Sequence, residues 1–254
     1  MKLEVLGCSG GIGGDRRTMA LAVGQGILID AGSGVGDLNL ERMMAIEHVF
    51  LTHSHLDHVA FLPFLCDATL NLCQGPLTVH ALPETIAMLK KCLLNFILWP
   101  DYSVMPSPSN PFIVFDPVEV GRKMQIGSCG IIPLPAQHSV PAVGYQLDSG
   151  RTSLVYSGDT TLCAAFWKKL EAIDNLTGLI IESTCLNSNA EGARISGHMI
   201  PDLLGFALRQ FRRNINLYVV HMEPGREDET MREIYAATGV LRPVMLKRGD
   251  VLEF

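Results

Sequence analysis

No two of the seven cysteines are spaced as CxxC, and their scatter over positions 8, 66, 73, 92, 129, 163 and 185 offers no even framework. A disulfide scaffold is not expected; the thiols read as small buried apolar groups of a chain in a reducing compartment. Basic charge is also scarce: 20 Lys and Arg face 26 Asp and Glu, a formal net charge of −6. A protein that grips long nucleic acid needs a cationic face, so that class is disfavoured. A small phosphorylated substrate stays open, because a bound cation inverts the local field. No apolar run approaches the length of a membrane span, and no membrane partner is expected. The opening "MKLEVLGCSGG" reads as a strand and a turn without the apolar run of a signal peptide, so the expected compartment is the cytoplasm. Internal repeats and low-complexity tracts are absent. With 254 residues, 48% of them hydrophobic, the chain can bury a large core as one domain over 1–254.

What is present is strand-rich at first and alternates strand and helix later. Short apolar runs at 2–7, 19–24 and 26–31, separated by glycines, predict antiparallel strands. "GCSGGIGG" does not fit GxGxxG and predicts a flexible turn at the rim of a site. Strands are expected at 46–52, 76–82, 130–136, 143–148, 152–158, 178–183 and 216–222. Helices are expected at 59–72, 83–98, 162–173, 201–211 and 227–237. Ile86, Leu89, Leu93 and Ile97 read as the core-facing stripe of the second helix, the four-proline stretch over 99–112 as a loop or lid, and the closing "PVMLKRGDVLEF" as a hairpin with turn chemistry at RGD. Strands first and β/α alternation afterwards suit two packed sheets with helices outside.

The chemistry concentrates in "THSHLDHV". His53 and His55 lie two apart at the end of a strand and project to one side; a turn into the next helix would aim Asp57 and His58 at the same point. Imidazole with carboxylate suits zinc or a similar divalent ion, and two close clusters suggest two. One loop cannot enclose two ions. His138, Asp159 and His221 each follow an apolar strand and are candidates to complete the set, although Asp159 could equally cap a helix. His48 and His80 read as structural. His198 precedes a helix that it could cap, or it could act on a substrate; Glu182 could tune it or be an exposed strand end. Arg194 is a candidate phosphate contact, and Asn95, Trp99 and Tyr102 are candidate base contacts.

These residues resemble the metallo-β-lactamase-fold hydrolases, whose hallmark is HxHxDH. The match continues in order through "QHSVPAVGYQL", "YSGDT" and "VVHMEPG". The resemblance implies an α/β fold, a four-layer αβ/βα sandwich of two mixed β-sheets flanked by helices, with two divalent ions at one edge. His53, His55 and His138 would hold one ion and Asp57, His58 and His221 the other, with Asp159 bridging. Zn2+ is favoured by the nitrogen-rich set, with Mn2+ or Fe2+ as alternatives; the diiron oxidoreductases of this fold carry Glu where this chain has His55. "LPETIAMLKKCLLNFILWPDYS", "IIEST", "SGHMIPDLL" and "HMEPG" look like the class II 3′,5′-cyclic nucleotide phosphodiesterases, with Met199 and Met222 in place of leucines and Glu223 in place of a lysine. That acid would weaken the attraction for a phosphate. "HSVPAVGYQL" and "YSGDT" are also similar to tRNase Z, without the basic, Gly-rich arm that grips tRNA.

The resemblance thus implies a dinuclear phosphodiesterase that converts cyclic nucleotides such as cAMP, or a related small phosphodiester, to 5′-monophosphates by metal-hydroxide attack. Asp57 would hold metal and orient the hydroxide, and His198 would protonate the leaving group or anchor the phosphate, tuned by Glu182. The alternatives are a tRNase Z-like nuclease, a hydrolase of thioesters, lactones or β-lactams, and a metal-binding module without catalysis. A homodimer is compatible with the sequence.

Overall fold

The computed structural model describes residues 1–254 apart from Gln74, Arg212 and Val240. Apolar runs bounded by glycine and proline form the strands, which assemble into two seven-stranded sheets. The first sheet takes β1 (Lys2–Gly7), β2 (Ala20–Val23), β3 (Ile27–Ile29), β4 (His48–Phe50) and β5 (Leu77–Ala81). A short ribbon of β6 (Pro106–Ser107) and β7 (Asn110–Pro111) precedes β8 (Ile113–Pro117), which closes one edge of that sheet. The second sheet takes β9 (Met124–Ile126), β10 (Cys129–Pro135), β11 (Val143–Asp148), β12 (Ser153–Tyr156), β13 (Leu176–Glu182), β14 (Asn216–Val220) and β15 (Val244–Met245). The last strand, β16 (Val251–Glu253), returns to the first sheet beside β1.

Both sheets are mixed, and in the same way. Across each, three antiparallel pairings are followed by three parallel ones. Tight turns can join antiparallel neighbours, whereas parallel neighbours need a longer crossover. This places the α-helices between strands of the parallel halves and on the outer faces.

Side-chain alternation assigns the layers. Leu3, Val5, Ile29 and Phe50 of the first sheet meet Tyr145, Tyr156, Ile180 and Val220 of the second in a buried inter-sheet core. Their strand neighbours Leu28, Val49 and Val79 face outward onto Leu62, Leu65 and Cys66 of the helix Leu62–Thr69. Val155, Leu179 and Val219 face the helices Ala164–Glu171, Pro201–Gln210 and Glu227–Thr238 through Phe166, Leu204 and Ile234. The result is helix, sheet, sheet, helix. Strands covered on both faces read as continuous apolar runs, which explains "GLIIE". Among the described residues no helix is long and apolar enough to cross a membrane.

Two expectations need correction. The C-terminal stretch is not a hairpin: β15 pairs with β14 and β16 with β1, so the connection between them crosses from one sheet to the other. The helix expected over 83–98 is an α-helix only over Pro83–Met88, followed by a π-helical turn, Leu89–Leu93. Beyond it the Asn95 side chain accepts the backbone N–H groups of Ile97 and Leu98, and Phe96 sits at φ +61, so the helix cannot continue and Ile97 is 92% exposed. The 99–112 stretch packs into the first sheet's outer layer, with Tyr102 buried edge-to-face against Phe112. His48 and His80 form a hydrogen-bonded pair 3.0 Å apart, with the His80 ring stacked 4.1 Å from Phe50.

Candidate metal centre

Strand β4 ends at Phe50, and the extended chain delivers His53 into a fully buried position. His55 stands immediately before the one-turn helix Leu56–Val59, which puts Asp57 in its first turn and His58 in its last. The other elements arrive from the second sheet. His138 lies beyond β10, Asp159 beyond β12 and His221 directly after β14. Asp159 does not cap the following helix, which begins at Ala164 with Cys163 before it.

Two groups of side chains that could hold a metal ion result: His53, His55, His138 and Asp159; and Asp57, His58, Asp159 and His221. In the first, His55 Nδ1 is 3.1 Å from both His53 Nε2 and His138 Nε2, and Asp159 Oδ2 is 3.6 Å and 3.8 Å from those nitrogens. In the second, His221 Nε2 is 3.0 Å from Asp57 Oδ2, 3.3 Å from His58 Nε2 and 3.4 Å from Asp159 Oδ2. A tetrahedron with bonds of ~2.1 Å has edges of about 3.4 Å, so these spacings suit donors around a small divalent ion. Asp159 Oδ1 is buried without a hydrogen-bond partner, 3.3 Å from His58 Nε2. An orphaned carboxylate oxygen between two imidazole sets fits a role as a shared ligand.

The ring nitrogens turned away from the centre are also engaged. His58 Nδ1 is 2.8 Å from Asp30 Oδ2 and His138 Nδ1 3.1 Å from the Gly197 carbonyl. Both partners accept, which fixes a proton on Nδ1, so that in the neutral ring the Nε2 lone pair would face inward. His53 Nδ1 meets Thr52 Oγ1 at 3.0 Å and His221 Nδ1 meets Thr184 Oγ1 at 2.9 Å.

Burial holds the His53, His55 and His138 imidazoles below their usual range, the neutral state that a metal ligand requires. Burial would also neutralise His58, but flanking Asp159 and Asp30 outweigh it and raise its pKa well above the ordinary value. Burial opposes ionisation of Asp57 and Asp159 as well. The His221 hydrogen bond and the charge of His58 nevertheless hold Asp57 at about 2, and the charges of His221 and His58 keep Asp159 well below the usual carboxylate range.

Beside this centre Glu182 is fully buried at the end of β13, not an exposed strand end. Its carboxylate accepts from the backbone N–H groups of Thr160, Thr184 and Met199 and from the Thr184 hydroxyl. It also lies 2.8 Å from His198 Nδ1, and although burial disfavours the imidazolium, this pairing raises His198 to about 9. His198 does not cap the next helix, which starts at Pro201 after Ile200. It stands 4.0 Å from Asp159 and is partly open to solvent. Backbone strain concentrates here too, because Asp30 and His221 hold φ of +57 and +63. The "GCSGGIGG" turn expected at the rim meets His221 through Gly10, where a Cβ would lie 2.9 Å from the His221 carbonyl oxygen.

The profile of the β-lactamase superfamily domain matches residues 25–222. The chain belongs to that superfamily. Among curated superfamily relatives, 3′,5′-cyclic-nucleotide phosphodiesterase 1 of Saccharomyces cerevisiae is 24% identical over 188 residues, 63% of this chain and 49% of the relative. Ribonuclease BN of Cronobacter sakazakii is 28% identical over 160 residues, 58% of this chain and 49% of the relative. The chain is thus matched to about half the length of these relatives. The crystal structure of unliganded yeast PDE1 superposes with a TM-score of 0.81 at 16% identity, covering 100% of this chain and 99% of that one. That likeness establishes the superfamily fold of two mixed sheets flanked by helices.

The structure brings together the seven expected ligand residues, with His198 and Glu182 alongside. The four candidate substrate contacts are engaged elsewhere. Arg194 pairs with Glu191 on the surface. Asn95 caps its own turn, Trp99 packs on Phe64 with centroids 5.0 Å apart, and the Tyr102 hydroxyl donates to Asp67. Local hydrogen bonds and core packing consume these groups. Sequence reasoning missed Asp30, Thr52 and Thr184. The available cue for Asp30 was the one used for Asp159, a carboxylate just after an apolar strand.

Proposed function

We propose that the chain is a dinuclear metal-dependent phosphodiesterase acting on 3′,5′-cyclic nucleotides or a related small phosphodiester and releasing a 5′-monophosphate. The observation that carries the reading is Asp159, whose buried carboxylate is shared by two His-containing sets of donors. His53, His55 and His138 would hold one ion and Asp57, His58 and His221 the other, with Zn2+ the best match to the donors. Bound ions would lower the pKa of water to ~7 and absorb charge developing on the phosphoryl oxygens. Asp57, the more exposed of the two acids with 29% of its side chain in solvent, would orient the attacking water. His198, charged and held by Glu182 through Nδ1, would present its other N–H to a phosphoryl oxygen or to the departing 3′-oxygen.

A small substrate is favoured over RNA by the cations beside the glycine turn, which are already paired. Arg16 binds Glu227, and Arg17 and Arg248 both bind Asp37. Purified protein loaded with Zn2+ or Mn2+ should turn over cyclic AMP, cyclic GMP or a chromogenic phosphodiester; cleavage of pre-tRNA alone would overturn the reading. His198→Ala should lower kcat by about 10²–10⁴-fold, the range typical of a lost acid–base group. Bound metal, measured by elemental analysis, should stay at the wild-type level. A parallel loss of metal would assign His198 to metal retention instead.

A further inference from the structure

Glu182 reaches beyond His198. Its Oε1 accepts from the Thr160 N–H at 2.9 Å and from His198 Nδ1 at 2.8 Å. Its Oε2 accepts from the N–H groups of Thr184 and Met199, both at 3.1 Å, and lies 2.7 Å from the Thr184 hydroxyl. Backbone N–H groups only donate, so Oε2 is an acceptor and the Thr184 O–H points at it. Thr184 is buried, and bulk water does not compete for that hydroxyl.

A hydroxyl has one proton to give. With it committed to Glu182, Thr184 Oγ1 turns lone pairs toward His221 Nδ1, 2.9 Å away. The other nitrogen of that ring, Nε2, faces the second donor set, 3.0 Å from Asp57 Oδ2 and 3.4 Å from Asp159 Oδ2. Asp57 accepts at Nε2, so without Thr184 the single proton of a neutral ring would sit there, on the face that should meet an ion. An acceptor at Nδ1 holds the proton on that side and frees the Nε2 lone pair. The ring has little room to turn away. The His221 backbone stands at φ +63 with its N–H on the Cys8 carbonyl at 2.7 Å, and its ring stacks on His198 with centroids 5.3 Å apart.

We propose, resting on the two-ion reading above, that Thr184 is a positioning residue. Its hydroxyl carries the orientation of Glu182 to His221, so that one buried carboxylate aims both His198 and a ligand of the second ion. Nothing comparable connects Thr184 to the other donor set: its hydroxyl contacts are Glu182, His198 and His221.

Competitive titration of Zn2+ against a chromophoric chelator, with wild type, Thr184→Val and Thr184→Ser, tests the link. Valine keeps the shape and removes the hydroxyl. Affinity at the Asp57, His58 and His221 site should fall by about 10–100-fold, while the His53, His55 and His138 site is unchanged. Serine replaces the hydroxyl and should restore wild-type affinity. Should Thr184→Val not fold, Thr184→Ala carries the same prediction. A hydroxyl-free variant that binds both ions as tightly as wild type overturns the proposal. So does an equal loss at both sites, or a Thr184→Ser protein as weak as Thr184→Val, which would make the residue a packing group. A wild type that binds fewer than two ions overturns the dinuclear reading itself, and the proposal with it.

Discussion

Asp159→Asn is expected to empty both candidate metal sites at once and to lower the proposed phosphodiesterase activity by at least ~10³-fold, about 4 kcal/mol of lost transition-state stabilisation. The substitution keeps the size and shape of the side chain and removes one charge. Asp159 lies 3.6 Å from His53, 3.3 Å from His58, 3.8 Å from His138 and 3.4 Å from His221, and among the described residues it alone belongs to both sets. An amide replaces one lone-pair oxygen with an NH2 group, which turns positive hydrogens toward both ion positions. Elemental analysis of the dialysed variant should find little metal, while His198→Ala retains it. Should Asp159→Asn keep full metal occupancy and only lower the melting temperature of the metal-free protein, its carboxylate would be a structural counter-ion for His58, and the dinuclear reading would fail.

The layers were legible because each buried strand carries its own signature. "VGYQLD" was expected at 143–148 and is β11 over Val143–Asp148; "KLEVLG" is β1 over Lys2–Gly7. Buried strands advertise themselves through unbroken apolar runs. The exposed ones do not: β8 reads "IVFDP" and β9 "MQI", mostly in contact with solvent, and neither was anticipated. The C-terminal error has a different origin. A turn flanked by two extended stretches looks the same whether the strands pair with each other or with different sheets, since local pattern carries no partner information.

Legibility of the centre followed the same division. Ligand candidates crowd into "THSHLDH" or terminate apolar strands, and those seven positions converge. The candidate substrate contacts rested on residue type alone, and in the structure each is engaged by a local partner. Tyr102 is as good a core side chain as a stacking partner, and burial decided in favour of the core. The groups that aim the imidazoles are threonines, a backbone carbonyl and one carboxylate, residue types so common that only three-dimensional proximity singles them out.

That one carboxylate supplies the most selective test of the centre. Asp30 is fully buried and accepts from the Thr52 N–H at 2.8 Å, the Thr52 hydroxyl at 2.9–3.0 Å, His58 Nδ1 at 2.8 Å and the Tyr156 hydroxyl at 3.2 Å. Asp30→Ala strands these buried donors and places alanine at φ +57, so it should cost about 3–5 kcal/mol in urea unfolding, much of a typical domain's stability. Asp30→Asn is the sharper variant, since Asn tolerates that φ and keeps the shape. With its oxygen held by Thr52, its NH2 group would face His58 Nδ1. His58 must then accept there, which moves its proton to Nε2 and points an N–H where a lone pair should meet an ion. Affinity at the Asp57, His58 and His221 site should fall by about 100-fold, while the His53, His55 and His138 site keeps its ion. Competitive titration with a chromophoric chelator should resolve one tight and one weakened site. If both sites instead bind as tightly as in the wild type, the Asp30 contact does not set the His58 tautomer and acts only to hold the buried network together.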